Sequence, residues 1–585
     1  MSYFLRTTKT KKGDYLQMYE TYWNKEKHQP ISRHIETFGY VCDLISDTMP
    51  DPSAYYQEYV AKKEEERKAR LAEATRERRD YSKPIYKNIG YYIIYSLIEE
   101  LGVKEIVDIL SSVRQFEFSI YDMLVDLICA RIVYPCSKLK TISEIFPRLY
   151  FRKSWISEDQ VLDGCFFIGE SYQKYIELFN RQYEKFFTRN YKSVYFDCTN
   201  YYFEIDLPKE DKQKGPSKEN RHSPIIGQAL LLDADMVPLT MQMYPGNESE
   251  KPYIRKMIEG MKAKYGVTGR TIQVADKGLN CARNIYAAVK EANDGYIFSK
   301  SVHGKNLSSQ EKKWVLLEND QNVFTDYRDD SGQLLYRVKS CIDDYDYAFE
   351  DVDGSIVSFT VKEKRVVSYN PDLAKKQKEE ITKMVEKARS CSVKENLKET
   401  LGDSVKYVTI VSKNKTGEKI RPYLELNQEK IEEDLKFAGY NLIVTSETGM
   451  TDKDIYSAYH NLWKIEESFR ITKSFLDARP VYVQKKETIY GHFLVCYLGL
   501  FLTRVLELKC FKEKMNYSEI YGFIRDFYVV DLKDKFLNTS VKGTLAYKIR
   551  DLTGNNIIDA LYFSEKELNG FFSNTMLLSA ASDMA

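Results

Sequence analysis

Four side chains in the stretch YHNLWKIEESFRITK fall at spacings that would put them on one helical stripe: Tyr459, Glu466, Arg470 and Lys473. The stretch holds neither Gly nor Pro, so an unbroken helix is predicted from Tyr459 to Lys473. With Tyr459 at zero, Glu466 falls near about −20°, Arg470 near about +20° and Lys473 near about −40°. Trp463 borders the stripe at roughly +40°, while Glu467 at roughly 80° and Ile465 at roughly −120° point elsewhere. A carboxylate among aromatics and two cations has the makings of a site. A solvated helix with a Glu466–Arg470 pair, worth a few tenths of a kcal/mol, accounts for the same pattern.

Two further acids sit where acids are costly. Asp197 interrupts the apolar run SVYFDCTNYYFEI, and Asp276 ends the run TIQVAD. A carboxylate within or at the end of an apolar strand needs a partner or a cation. Three hard oxygen donors, Asp197, Asp276 and Glu466, suit Mg²⁺ or Mn²⁺. Two such ions can activate a water or a 3′-hydroxyl and stabilise the leaving oxygen of a phosphodiester. Each acid also has a plainer reading: Asp197 as a strand-end cap and Asp276 as turn chemistry before Lys277-Gly278. Asp233 and Asp235 in LLLDADMVPL read as a hairpin turn, and Glu204 and Asp206 are weaker rivals. The chain shows no zinc-type His/Cys spacing, no GxxxxGK[ST] loop and no GxSxG elbow.

The elements that must position these acids follow from periodicity. The 585 residues exceed one core and are read as seven segments. Residues 1–50 form a β-hairpin unit carrying Arg6, Lys9, Lys11 and Lys12, and 51–80 a long charged helix, read as a linker, a dimerising arm or simply an exposed helix. Residues 81–190 are helical, a generic bundle or the holder of a helix-turn-helix. A mixed sheet with helices packed on it runs through 191–300, is interrupted by a β-rich insertion at 301–436, and resumes over 437–510. Residues 511–585 are mixed and helix-leaning. The fold class is therefore multidomain α/β.

The charge balance is near zero, 87 Lys+Arg against 86 Asp+Glu, so any basic surface must be local. Ten scattered cysteines without a CxxC pair suit a reducing cytosol. No leader-like apolar run opens the sequence, and Phe493–Leu502, closed by Arg504, is too short to span a bilayer; no membrane is expected.

Taken together the acids and their surroundings resemble bacterial insertion-sequence transposases of the DDE type, in the cut-and-paste branch with a Y-x2-R-x3-E-x6-K motif. Here that motif reads Tyr459-x2-Leu462-x3-Glu466-x6-Lys473. YFDCTNYYFE and VADKGLNCARNI are similar to the segments around the family's two Asp, and GPSKENR and MYPGNESE fit as well. The likeness runs from about Tyr191 to Leu508. It implies a ribonuclease-H-like core with Asp197, Asp276 and Glu466 as ligands of two Mg²⁺ (or Mn²⁺) ions. It also implies contacts from Tyr459 and Lys473 to DNA phosphates. Leu462 replaces the motif's Arg, and Arg470 is the candidate substitute. Lys218 and Arg221, with Lys214, form a candidate backbone-binding loop, against a plain solvated loop. Trp314 is a candidate for stacking on a flipped base, against burial in the insertion.

The function implied is binding of the element's terminal inverted repeats, cleavage there, and transfer of the 3′-OH strands into target DNA. Such enzymes act as homodimers on double-stranded DNA in a paired-end complex, in the bacterial cytoplasm at the nucleoid. Two other readings are a metal-dependent nuclease of the same fold without strand transfer, and a DNA-binding relic with a dead core.

Overall fold

The computed structural model describes residues 2–24, 29–74, 85–152, 155–218, 223–303, 307–316, 323–391, 401–413 and 419–582. The chain divides into two compact units, Met1–Lys83 and Pro84–Ala585. In the first, strands β1 (Ser2–Thr10), β2 (Gly13–Asn24) and β3 (Gln29–Tyr40) form an antiparallel sheet. The helix Pro52–Ala74 packs on this sheet. Glu64 accepts a hydrogen bond from the Tyr3 amide at 2.8 Å, and Phe38 stacks on Tyr56 with ring centroids 4.1 Å apart. The described part of the long charged helix, to Ala74, packs on this sheet through Tyr56, Tyr59 and Val60; residues 75–80 lie outside the described residues.

The larger unit opens with β4 (Tyr86–Asn88) and a set of helices, then enters its main sheet. The strands of that sheet are β5 (Ser193–Tyr202), β6 (Ile225–Leu232), β7 (Pro238–Pro245), β8 (Ile272–Ala275), β9 (Gly295–Lys300), β10 (Thr325–Arg328), β11 (Leu334–Glu350), β12 (Ile356–Tyr369) and, after the hairpin β13 (Val408–Lys413) and β14 (Lys419–Leu426), β15 (Tyr440–Thr445). Their order is β10-β11-β12-β15-β9-β8-β5-β6-β7. Only β5–β8 and β8–β9 pair in parallel; the other neighbours are antiparallel. It is a large mixed sheet in a multidomain α/β protein.

Three strands expected within a separate insertion continue this sheet. β12 pairs with β15 from Lys364↔Thr445 to Tyr369↔Tyr440, covering what would be an open edge. The join is fixed by the buried Glu363 carboxylate, which accepts from the hydroxyls of Tyr296 on β9 and Tyr347 on β11, each at 2.6 Å, and pairs with Arg365 at 2.8 Å. Of the strands described between 301 and 436, β13 and β14 instead form a separate two-stranded sheet.

Both faces of the sheet are covered, which is why strands such as β6 read as continuous apolar runs. On β5, Val194, Phe196 and Cys198 enter one core and Tyr195 and Tyr201 the other, the alternation a strand imposes. The second core is built around the helix Lys486–Arg504, which runs on to Cys510 in a widened turn. By length and composition Lys486–Cys510 could cross a membrane, yet 94% of its apolar window is buried inside the protein. Arg504, expected to close a shorter segment, lies within this helix and is fully buried. Downstream, β16 (Tyr528–Asp531), β17 (Phe536–Asn538) and β18 (Tyr562–Phe563) join β4 in the order β18-β17-β16-β4, so the last residues close on the first helices of the unit.

Candidate functional site

The first two acids are brought together by strand register. β5 and β8 pair in parallel with Phe196 opposite Ala275. One step further along each strand stand Asp197 and Asp276, on adjacent strands whose spacing is about 4.8 Å. Both point to the same face, since Tyr195 and Val274, two residues back, enter the same core.

The third acid arrives on the helix Trp463–Arg470, which packs against β5 on that face through Ile465 and Phe469. The long helix predicted from Tyr459 is divided: Asp452–His460 ends at Asn461, and the chain restarts at Trp463. Across the break the amides of Leu462, Lys464 and Ile465 bond three residues back, not four. This tightened turn is the 3₁₀ geometry that helix ends adopt, and it invalidates a stripe drawn at a uniform 100° per residue. The orientation of Glu466 is set instead by its neighbour. Glu467 is buried and ion-paired at 2.8 Å to Arg504, whose other nitrogen meets Glu507 at 2.6 Å. Glu467 is thus held inward while Glu466 is exposed, within the electrostatic reach of Asp276. The Glu466–Arg470 pair is not formed among the described residues; Arg470 acts on Glu466 only through space.

The acids share one electrostatic field. Burial, first, and then the charges of Glu250 and Asp276 push the Asp197 carboxyl up to about 6, against Lys218, which pulls it down. The Glu466 carboxyl is raised by burial and then by Asp276, and lowered by Arg470 and Lys218. Tyr459 donates its hydroxyl to Asp276 Oδ1 at 3.0 Å, and its phenol is raised by burial and by that carboxylate. Lys473 lies over the ring of Tyr201 at 5.5 Å, on the same face of β5.

Lys218 points inward. Its ammonium is 3.6 Å from Asp197 and 3.5 Å from Glu250, and it donates to the Cys198 carbonyl. Glu250, which precedes the helix Lys251–Tyr265, is a fourth acid that the sequence reading missed. Its signal is the run NESE after a Pro-Gly turn. The loop carrying Lys218 crosses the Gly246 turn at backbone contact. A Cβ on Gly215 would lie 1.9 Å from the Gly246 carbonyl oxygen, and one on Gly246 2.1 Å from that of Ile225. Gly246→Ala is therefore expected to cost about 1–3 kcal/mol in a denaturant melt and to move Lys218.

The other site expectations fall as follows. Leu462, in the place of the motif's Arg, is buried in the core. Trp314, on the helix Ser309–Val315, is partly buried and packs against the core of the sheet with the Lys339 ammonium 5.2 Å from its ring. Arg221 lies outside the described residues. Asp233 accepts from the amides of Asp235 and Val237 at 3.0 and 2.9 Å, the turn role expected of it, and pairs with buried Arg189 at 2.6 Å.

The donor set is all carboxylate, hard and mutually repelling, and so fits Mg²⁺ or Mn²⁺ in kind. In spacing it does not yet: among the described residues no three His, Cys, Asp or Glu are gathered closely enough to hold a metal ion.

No protein-family model matches the chain, and no curated protein matches it. Among solved structures it has a weak likeness to a piggyBac transposase synaptic complex with hairpin DNA. The TM-score is 0.37 at 9% identity, over 82% of this chain and 85% of that one.

Proposed function

We propose that this chain is a DDE transposase: it binds the terminal inverted repeats of its element, cleaves there and transfers the 3′-OH strands into target DNA from a ribonuclease-H-like core. The observation that carries the reading is the parallel register that sets Asp197 beside Asp276, with Glu466 turned into the same field from a helix on that face. Asp197, Asp276 and Glu466 are the carboxylates that would hold the divalent ions, whose chemistry would be activation of an oxygen nucleophile and charge stabilisation at the leaving oxygen. The chain's own part is to orient. Tyr459 fixes the Asp276 carboxylate, Arg504 fixes the helix of Glu466, and Arg470 and Lys473 present positive charge where phosphate oxygens would enter. The active form would be a homodimer on paired DNA ends.

The test is incubation with labelled end DNA, a plasmid target and Mg²⁺. Joined products from the wild type, and none from Asp276→Asn or Glu466→Gln, are expected; cleavage without joining would leave a nuclease, and end binding without cleavage a relic.

Lys218 brings to Asp197 and Glu250 the kind of charge a metal would bring. Lys218→Met is expected to tighten Mn²⁺ binding several-fold, since a competing cation is gone, and to weaken DNA binding equally across sequences. Calorimetric titration with Mn²⁺ reads the first effect; unchanged affinity would remove Lys218 from the site.

A further inference from the structure

None of the four acids lines a cavity of about 1100 Å³ on the helical side of the larger unit. Its wall includes Arg131, near the end of the helix Ile120–Val133, and Lys138, just beyond it. Each is only 6% exposed. Neither side chain has a hydrogen bond or ion pair among the described residues. Burial and then, among neighbouring charges, that of Arg131 lower the Lys138 ammonium, and both cations help hold buried His492 neutral. Two adjacent buried cations without a counter-ion are costly.

The other charges on the cavity do not resolve this. Asp163 is paired with Arg114 at 2.7 Å. Glu158, Asp159 and Asp477 line the wall beyond ion-pair reach of Arg131 and Lys138, and Lys485 adds a further positive charge, 5.6 Å from the ring of Phe166. What these cations lack is a compact anion with charge for both. The volume is far more than one phosphate fills, and Tyr134 and Tyr482 stand half or more exposed at the wall, faces on which a base can stack. The acids alongside repel a duplex, which would bring many phosphates at once.

We propose that this cavity binds the phosphate of a nucleotide, free or at the end of a single strand, on Arg131 and Lys138. The site is independent of the acids, so the experiment is run on the full chain in EDTA, where no metal-dependent cleavage occurs. Thermal shifts are measured with inorganic phosphate, a nucleoside 5′-monophosphate, and a short single-stranded oligonucleotide with and without its 5′-phosphate. The monophosphate or the phosphorylated strand is expected to stabilise the wild type saturably, with a midpoint at least tenfold higher in Arg131→Met and Lys138→Met. Tighter binding of the phosphorylated strand than of the monophosphate identifies a strand end as the source, and equal or weaker binding a free nucleotide. Equal shifts in wild type and variants, or none, overturn the site; a shift from inorganic phosphate with no gain from the nucleoside overturns its nucleotide assignment. Should a variant not fold, saturating monophosphate is expected to protect Lys138 of the wild type from acylation, read by mass spectrometry, and absence of protection overturns the proposal.

Discussion

Asp197→Asn is expected to abolish strand cleavage and at the same time to make the metal-free protein more stable at neutral pH. The loss of activity follows from the proposed role and should exceed about a thousandfold, the scale of removing a group that acts only in the transition state. The gain in stability follows from the environment. The folded-state carboxyl titrates at about 6, above its ordinary value of 3.8, with burial the first cause and neighbouring acids next. The folded protein therefore binds this proton more tightly than the unfolded chain does. Below pH 3.8 both states hold it and the group contributes nothing. As pH rises toward 6 the unfolded chain ionises first, and stability falls until the folded carboxyl has ionised too.

Two pKa steps correspond to about 3 kcal/mol. With the side chain still 24% exposed, solvent screening brings the expectation to about 2 kcal/mol. The amide carries no charge at any pH, so urea melts of wild type and variant without metal should diverge between pH 4 and 7, the variant being the more stable. Divalent ions should close the gap by stabilising only the wild type, and increasingly so as pH rises. Superimposable melts would show that Asp197 is solvated like an ordinary surface acid.

Much of this site was legible in the chain because apolar strands betray the acids they carry. Asp197 and Asp276 stood out as charges within or at the end of apolar runs, though a cap or a turn could account for each alone, and the strand periods that exposed them also form the sheet. What could not be read were features set by contacts distant in sequence. Glu250 and Lys218 come together from separate loops, each ordinary locally. Strands β10 to β12 read as an insertion because an antiparallel hairpin looks the same whether it stands alone or extends a larger sheet; only the buried Glu363, shared with Tyr296, records the difference. The break at Asn461 carries no Gly or Pro, so nothing in the local sequence marks it. What sets Glu467 apart from Glu466 is its pairing with Arg504, some 37 positions downstream, which no local pattern records.

Arg504→Met is expected to be the most destabilising single change considered. The guanidinium is fully buried, pairs with Glu467 and Glu507, and donates to the Lys464 carbonyl at 3.0 Å and to Ser468 Oγ at 3.3 Å. Methionine fills most of the volume but leaves Glu507, 3% exposed, without its counter-charge and Glu467, 8% exposed, with only the Lys464 ammonium at 3.9 Å. Removing one partner of such a network costs about 3–5 kcal/mol. The pairing itself, weighed against apolar replacements, need stabilise little: the triple variant Arg504→Met, Glu467→Gln, Glu507→Gln should recover most of the loss. The three proteins separate stability from placement. If Arg504 serves only to neutralise buried charge, the triple variant recovers cleavage along with stability. If it also holds the helix of Glu466 in rotation, the triple variant folds but cleaves at least tenfold more slowly, because amide contacts do not fix that helix as an ion pair does. The structure favours the second outcome: Arg504 reaches residues 464, 467 and 468 on one helix, so its loss frees the turn that aims Glu466 at the strand acids.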